Sequence, residues 1–258
     1  MDILHTNNRE KFLAYNKYKT AKKKAPFIIF HHGLMSDMNG SKAMWLEDHC
    51  KKNDYNFIRF DNFGHGQSSG KFSDQTISIW QEGLNLIIDK LAKQPVLLVG
   101  SSMGAWITLL ASIKRPNDII GMVGISSAPD FSEELIWNKL THSQKQKMQV
   151  EGICDIGGTD PACGHVYPIS FDLIKDGRNH LLLNKEKINI KCPVHLLHGK
   201  QDIDVPSSIS ERIFSKISHN DVSIKIIKDG NHSLSREKDL NVICNSIDEI
   251  LQQLNPNS

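Results

Sequence analysis

The chain has 258 residues, enough for one elaborated domain or two small ones with a sizeable core, which excludes a disulfide-stapled miniprotein or a peptide-sized module. Hydrophobic residues at 39% and charged residues at 23% are ordinary globular usage and exclude a mainly disordered chain. Thirty-one Lys and Arg against twenty-nine Asp and Glu give a formal charge of +2 without long runs of one sign, so no nucleic-acid partner is expected.

Residues 2–20 alternate around the polar pair Asn7-Asn8, which predicts a hairpin added to a sheet edge. The basic run Lys22-Lys23-Lys24 reads as a solvated turn before Pro26 and is given no function. Phe27-Ile28-Ile29-Phe30 is a continuous apolar run between Pro26 and Gly33, as expected of a strand buried on both faces. Similar runs at 56–60, 96–99, 119–123, 194–197 and 222–227 predict further strands. Between them lie helical spacings: Ala43, Leu46, Cys50; Ile77, Trp80, Leu84, Ile87, Leu91; Ile209, Ile213, Ile217; and Leu240, Ile243, Ile247, Ile250, Leu254. This alternation predicts an α/β fold, a mostly parallel central sheet with helices on both faces. Residues 129–190 break the rhythm with helix-like pieces, Gly157-Gly158, Pro161 and Pro168 but no clear buried strand. They are too long for a connecting loop and are read as a cap between core segments 1–128 and 191–258, folded over the strand ends where open α/β sheets bind ligands.

Gly100-Ser101-Ser102-Met103-Gly104 follows an apolar strand and opens the apolar helix at Ala105. This is G-x-S-x-G in its strand-turn-helix setting, and the spacing selects Ser102 over Ser101 as a nucleophile. A serine hydroxyl is a poor nucleophile near neutral pH and needs a base held by a carboxylate. Asp202, in the turn after the strand at 194–197, is the expected carboxylate, with Asp204 and Asp130 as alternatives. His232, after the strand at 222–227 and before the last helix, is the expected base. Backbone N–H groups of Leu34, in the turn His32-Gly33-Leu34, and of Met103 are the expected oxyanion donors. The glycine-rich loop from Asp61 to Gly70 matches neither phosphate-binding pattern and reads as scaffold beside the pocket.

No metal or cofactor is expected. Cys154, Cys163 and His165 lack the tight cysteine pair and fourth ligand of a zinc site, and His31 and His32 should leave their strand toward opposite faces. The five cysteines are scattered and odd in number, which suits a reducing compartment. No run of about 20 apolar residues offers a membrane span.

These motifs resemble the α/β-hydrolase superfamily over nearly the whole chain. Within it, Ile28-Ile29-Phe30, the stretch from Met38 to Ala43, Ile58 to Asp61, Gly100 to Gly104, His198-Gly199 to Asp202 and Val205-Pro206 resemble the family of abhydrolase domain-containing protein 10. The resemblance implies a palmitoyl-protein thioesterase or acyl-glucuronide esterase acting on small-molecule or acyl-protein substrates, with its nucleophile, acid and base at Ser102, Asp202 and His232. His32 before Gly33 departs from that family, which makes the pocket wall different. Animal members carry a mitochondrial leader that Met1-Asp2-Ile3-Leu4-His5 does not resemble, so a cytoplasmic protein is expected. The cap, with Phe131, Leu135, Ile136, Trp137 and Tyr167, is expected to supply the acyl pocket, and the sequence does not say which of its side chains line it. Rival readings are a serine peptidase, a carbon-carbon bond hydrolase or a non-catalytic receptor of the same fold; an aspartate nucleophile, as in dehalogenases, is disfavoured by Ser102.

Overall fold

A computed structural model describes residues 1–7, 10–21, 25–157 and 166–254. The Lys22 to Lys24 run, Gly158, Pro161, Cys163 and His165 lie outside the described residues.

Three fully buried strands, β3 (Phe27–His31), β4 (Asn56–Phe60) and β5 (Val96–Ser101), form the centre, because their side chains must be apolar or bonded on both faces. β1 (Asp2–His5) and β2 (Phe12–Tyr18) make the expected antiparallel hairpin, and β2 joins the sheet antiparallel to β4. β6 (Ile119–Ile125), β9 (Val194–Gly199) and β10 (Val222–Ile227) complete eight strands in the order β1-β2-β4-β3-β5-β6-β9-β10, parallel from β4 onward. β10, at the edge, alternates half-buried and exposed residues.

Helices cover both faces. α1 (Ser41–Lys52) buries the expected Ala43, Leu46 and Cys50 beside α7 (Glu237–Leu254) on one face. On the other lie α2 (Ile77–Ile87), α3 (Met103–Lys114) and α6 (Ser208–Lys216). The predicted helix through Leu91 is regular only to Ile87; a wider π-helical turn over Ile88–Ala92 follows and stops at Lys93, in the left-handed region at φ 55°.

Between β6 and β9 the chain forms α4 (His142–Glu151), β7 (Ile153–Gly157), β8 (Val166–Ser170) and α5 (Phe171–Arg178). β7 and β8 pair antiparallel outside the main sheet. The sequence of this segment predicts no clear buried strand; the pair is only partly buried, so neither strand has the continuous apolar run that marks the others. The Asp130 carboxylate accepts N–H bonds from Leu182 and Leu183, both at 2.8 Å, and ties the start of this segment to its end. Register aligns His31 with Gly100, Ser101 with Ile125, Ile125 with Leu197 and Gly199 with Ile227, so the C-terminal ends of five strands meet along one edge.

Candidate active site

Ser102 stands between β5 and α3 with φ 55° and ψ −118°, a strained conformation for a non-glycine residue. The flanking glycines are required by space. A Cβ on Gly100 would lie 2.5 Å from Thr108 Oγ1 and 2.6 Å from Ala105 Cα, and one on Gly104 would collide with the carbonyl oxygens of His31 and His32.

The turn after β9 brings up Asp202, and the loop after β10 brings up His232. His232 Nε2 lies 3.1 Å from Ser102 Oγ, and its Nδ1 lies 2.7 Å from Asp202 Oδ2. An ionised carboxylate only accepts, so Nδ1 is the donor and Nε2 faces the serine hydroxyl. Ser126 Oγ–H donates to the His232 carbonyl at 2.8 Å and holds the loop. Of the alternative acids, Asp130 serves Leu182 and Leu183, and Asp204 lines the cavity described below while its N–H donates to Asp202 Oδ1.

The Asp202 side chain is fully buried. Burial by itself raises its pKa, but N–H donors from His198 and His232, then Val205, outweigh it and hold the carboxyl well below the usual carboxylate range. His198, near the end of β9, has no role among the sequence motifs. Its Nε2 lies 3.0 Å from Asp202 Oδ2 and 2.9 Å from the Val205 carbonyl, two acceptors, so Nε2 carries a proton. Nδ1 meets Ser210 Oγ at 2.7 Å. The available signal was a polar ring ending an apolar strand, since a buried histidine there has to be bonded. Asp202, Asp204 and His232 are the group among the described residues whose donor atoms lie close enough together to hold a metal, but N–H groups already occupy both Asp202 oxygens.

Gly33 and Leu34 lie against the serine: a Cβ on Gly33 would be 3.3 Å from Ser102 Cβ. This turn is held from behind by neutral histidines. His65 Nε2 accepts the Met35 N–H at 3.2 Å while its Nδ1 faces the Phe63 carbonyl, and His32 Nε2 accepts the Asn62 N–H at 3.0 Å. His31 Nε2 also reaches Asn62, through the side-chain amide at 2.8 Å. The adjacent rings expected to diverge thus converge on one residue. Burial lowers His31 and His65 to about 3 and His32 to about 4, so each keeps one acceptor and one donor nitrogen.

A cavity of about 220 Å³ opens on Ser102, His232, Leu34 and Met103. Phe131, Leu135, Ile136 and Tyr167 line it, among mostly apolar neighbours. Trp137, from the same segment, stacks on Phe171 at 5.5 Å, with the Arg178 guanidinium over its ring.

Residues 22–152 match the family described as serine aminopeptidase, S33. The chain is 34% identical to human palmitoyl-protein thioesterase ABHD10, mitochondrial, over 92% of its own length and 76% of that protein's. Among solved structures it is similar to mouse alpha/beta hydrolase domain-containing protein 10, with TM-score 0.88, 32% identity and 98% of both chains covered. A putative hydrolase from Agrobacterium vitis S4 superposes with TM-score 0.89 at 31% identity over 97% of both chains. These relatives overturn the expected cytoplasmic location: the human, bovine and mouse thioesterases are all named as mitochondrial. Free thiols report a reducing compartment and do not distinguish one such compartment from another.

Proposed function

The chain belongs to the α/β-hydrolase superfamily and, within it, to the family of palmitoyl-protein thioesterase ABHD10, and from that premise we propose that it is a serine hydrolase of carboxylic esters or thioesters. The observation carrying this reading is the bonded series Ser102, His232 and Asp202 at the mouth of an apolar cavity. In this mechanism Ser102 Oγ attacks the acyl carbonyl while His232 Nε2 takes its proton. Asp202 holds the imidazole in the Nδ1–H tautomer and stabilises the imidazolium. The N–H groups of Leu34 and Met103 receive the oxyanion, Leu34 from the turn packed on Ser102 and Met103 from the start of α3. His232 then protonates the departing alcohol or thiol, and water, deprotonated by the same nitrogen, releases the acid from the acyl-enzyme. Residues 129–190 act as a cap on the core segments 1–128 and 191–258, and the apolar cavity under it takes the acyl chain.

The test is hydrolysis of p-nitrophenyl esters from acetyl to palmitoyl and of a palmitoyl-cysteine peptide, with aminoacyl anilides as the peptidase control. Turnover should favour long acyl chains, and Ser102→Ala should lower kcat by roughly 10⁴-fold or more. Unchanged kcat in Ser102→Ala, or no labelling of Ser102 by a fluorophosphonate, would remove the mechanism.

A further inference from the structure

A second cavity, of about 290 Å³, meets the first at Ser102 and shares Leu34 and His232 with it. Much of its remaining wall is polar: Ser36, Asp37, Ser41, Lys42, Ser233 and Ser235. Lys42 Nζ donates to the Ser233 carbonyl at 2.5 Å and to Ser235 Oγ at 3.4 Å, which puts its ammonium on that wall. Burial is what acts on this ammonium, lowering its pKa to about 8, and no carboxylate among the described residues contributes. A partly desolvated cation without a counter-ion gains more from an incoming anion than a hydrated surface lysine does. Asp37, the acidic group on the same wall, has Oδ1 engaged by the Asn39 N–H at 2.6 Å. A single cation on a wall that also carries a carboxylate suits a singly charged anion better than a phosphate.

We propose that this cavity receives the leaving-group side of the substrate and that Lys42 selects acyl-cysteine peptides carrying an acidic residue beside the cysteine. The proposal rests on the hydrolase reading above and names its substrate class. With the acyl chain in the apolar cavity, the thiol has to leave on the other side of Ser102, and the polar cavity contains both Ser102 and His232. The Ser102 Oγ to carbonyl bond forms, the carbon-sulfur bond breaks, and the proton His232 took from Ser102 passes to the sulfur. The peptide departs as a free thiol with its acidic side chain on Lys42, and no redox partner is involved.

The test uses octanoyl-cysteine tripeptides with Asp or Asn next to the cysteine, their binding measured by calorimetry on Ser102→Ala. The Asp peptide should bind about tenfold more tightly, the difference between a charge-assisted and a neutral hydrogen bond. Adding Lys42→Met should bring the ratio near one, and Lys42→Glu should invert it. Equal affinities in Ser102→Ala, binding of neither peptide, or an unchanged ratio with Met at position 42 would overturn the proposal and leave Lys42 as a brace for the Ser233 loop. Turnover of the same peptides by the wild-type chain separates the two readings. Discrimination without turnover keeps the subsite and removes the hydrolase, whereas turnover without discrimination removes the subsite alone.

Discussion

Each Asp202 oxygen is occupied, Oδ1 by the N–H groups of Asp204 and Val205, Oδ2 by His198 and His232. Because the folded carboxyl is held below its ordinary value of 3.8, these bonds stabilise the fold above that pH and lose their effect as pH falls below it. His198 binds Asp202 from inside the core, where it is fully buried, so it positions the acid without lining either cavity. His198→Phe removes that donor and leaves His232 and the backbone N–H groups of Asp204 and Val205 to offset burial, so the Asp202 pKa should rise. The pH profile of kcat/KM should change on its acid side, and kcat should drop about tenfold. A profile of unchanged shape on a merely less stable protein would reduce His198 to packing. Ser102, Asp202 and His232 were legible one by one, since each follows an apolar strand in the order this chemistry uses. His198, His65 and Lys42 were not, because their roles depend on partners 4, 30 and 191 residues away, and only the first is near in sequence.

The elbow between β5 and α3 shows how much of the site depends on close approach of elements. The first turn of α3 packs on the end of β3 through Gly104, where a side chain has no space beside the His31 and His32 carbonyls. Backbone oxygens cannot rotate away as a flexible side chain can. Gly104→Ala should therefore cost roughly 3 kcal/mol or more in urea unfolding, and it should disturb the Leu34 turn together with Ser102. A loss under about 1 kcal/mol would mean that the strand end shifts freely. The same spacing rules that found α1 and α7 overran α2, since hydrophobic period alone does not register the wider turn after Ile87. They also missed β7 and β8, whose partial burial weakens the apolar signal.

Across the whole molecule, the three histidines behind the site couple folding to pH. His31, His32 and His65 fold with pKa values of about 3 to 4 against an ordinary 6.5, so the unfolded chain binds more protons between those limits. Their contribution is complete above pH 6.5 and falls as the solution is acidified toward their folded values. At about pH 5 the loss should be on the order of 2 kcal/mol per imidazole relative to neutral pH, read by urea unfolding. Equal stability at the two pH values would show that these rings are hydrated. The order of strands and helices, and so the parallel sheet with helices on both faces, was already determined by the sequence, because burial on two faces requires unbroken apolar runs and burial on one face requires a helical period. So were the candidates Ser102, Asp202 and His232, since turns at the ends of parallel strands converge on one edge. What the tertiary structure decided is which groups meet there: the second histidine on Asp202, the neutral histidines behind the Leu34 turn, and a second cavity with Lys42 on its wall that meets the apolar one at Ser102. Those contacts join residues far apart in the chain, and short-range hydrophobic pattern carries no information about which distant side chains will share a desolvated space.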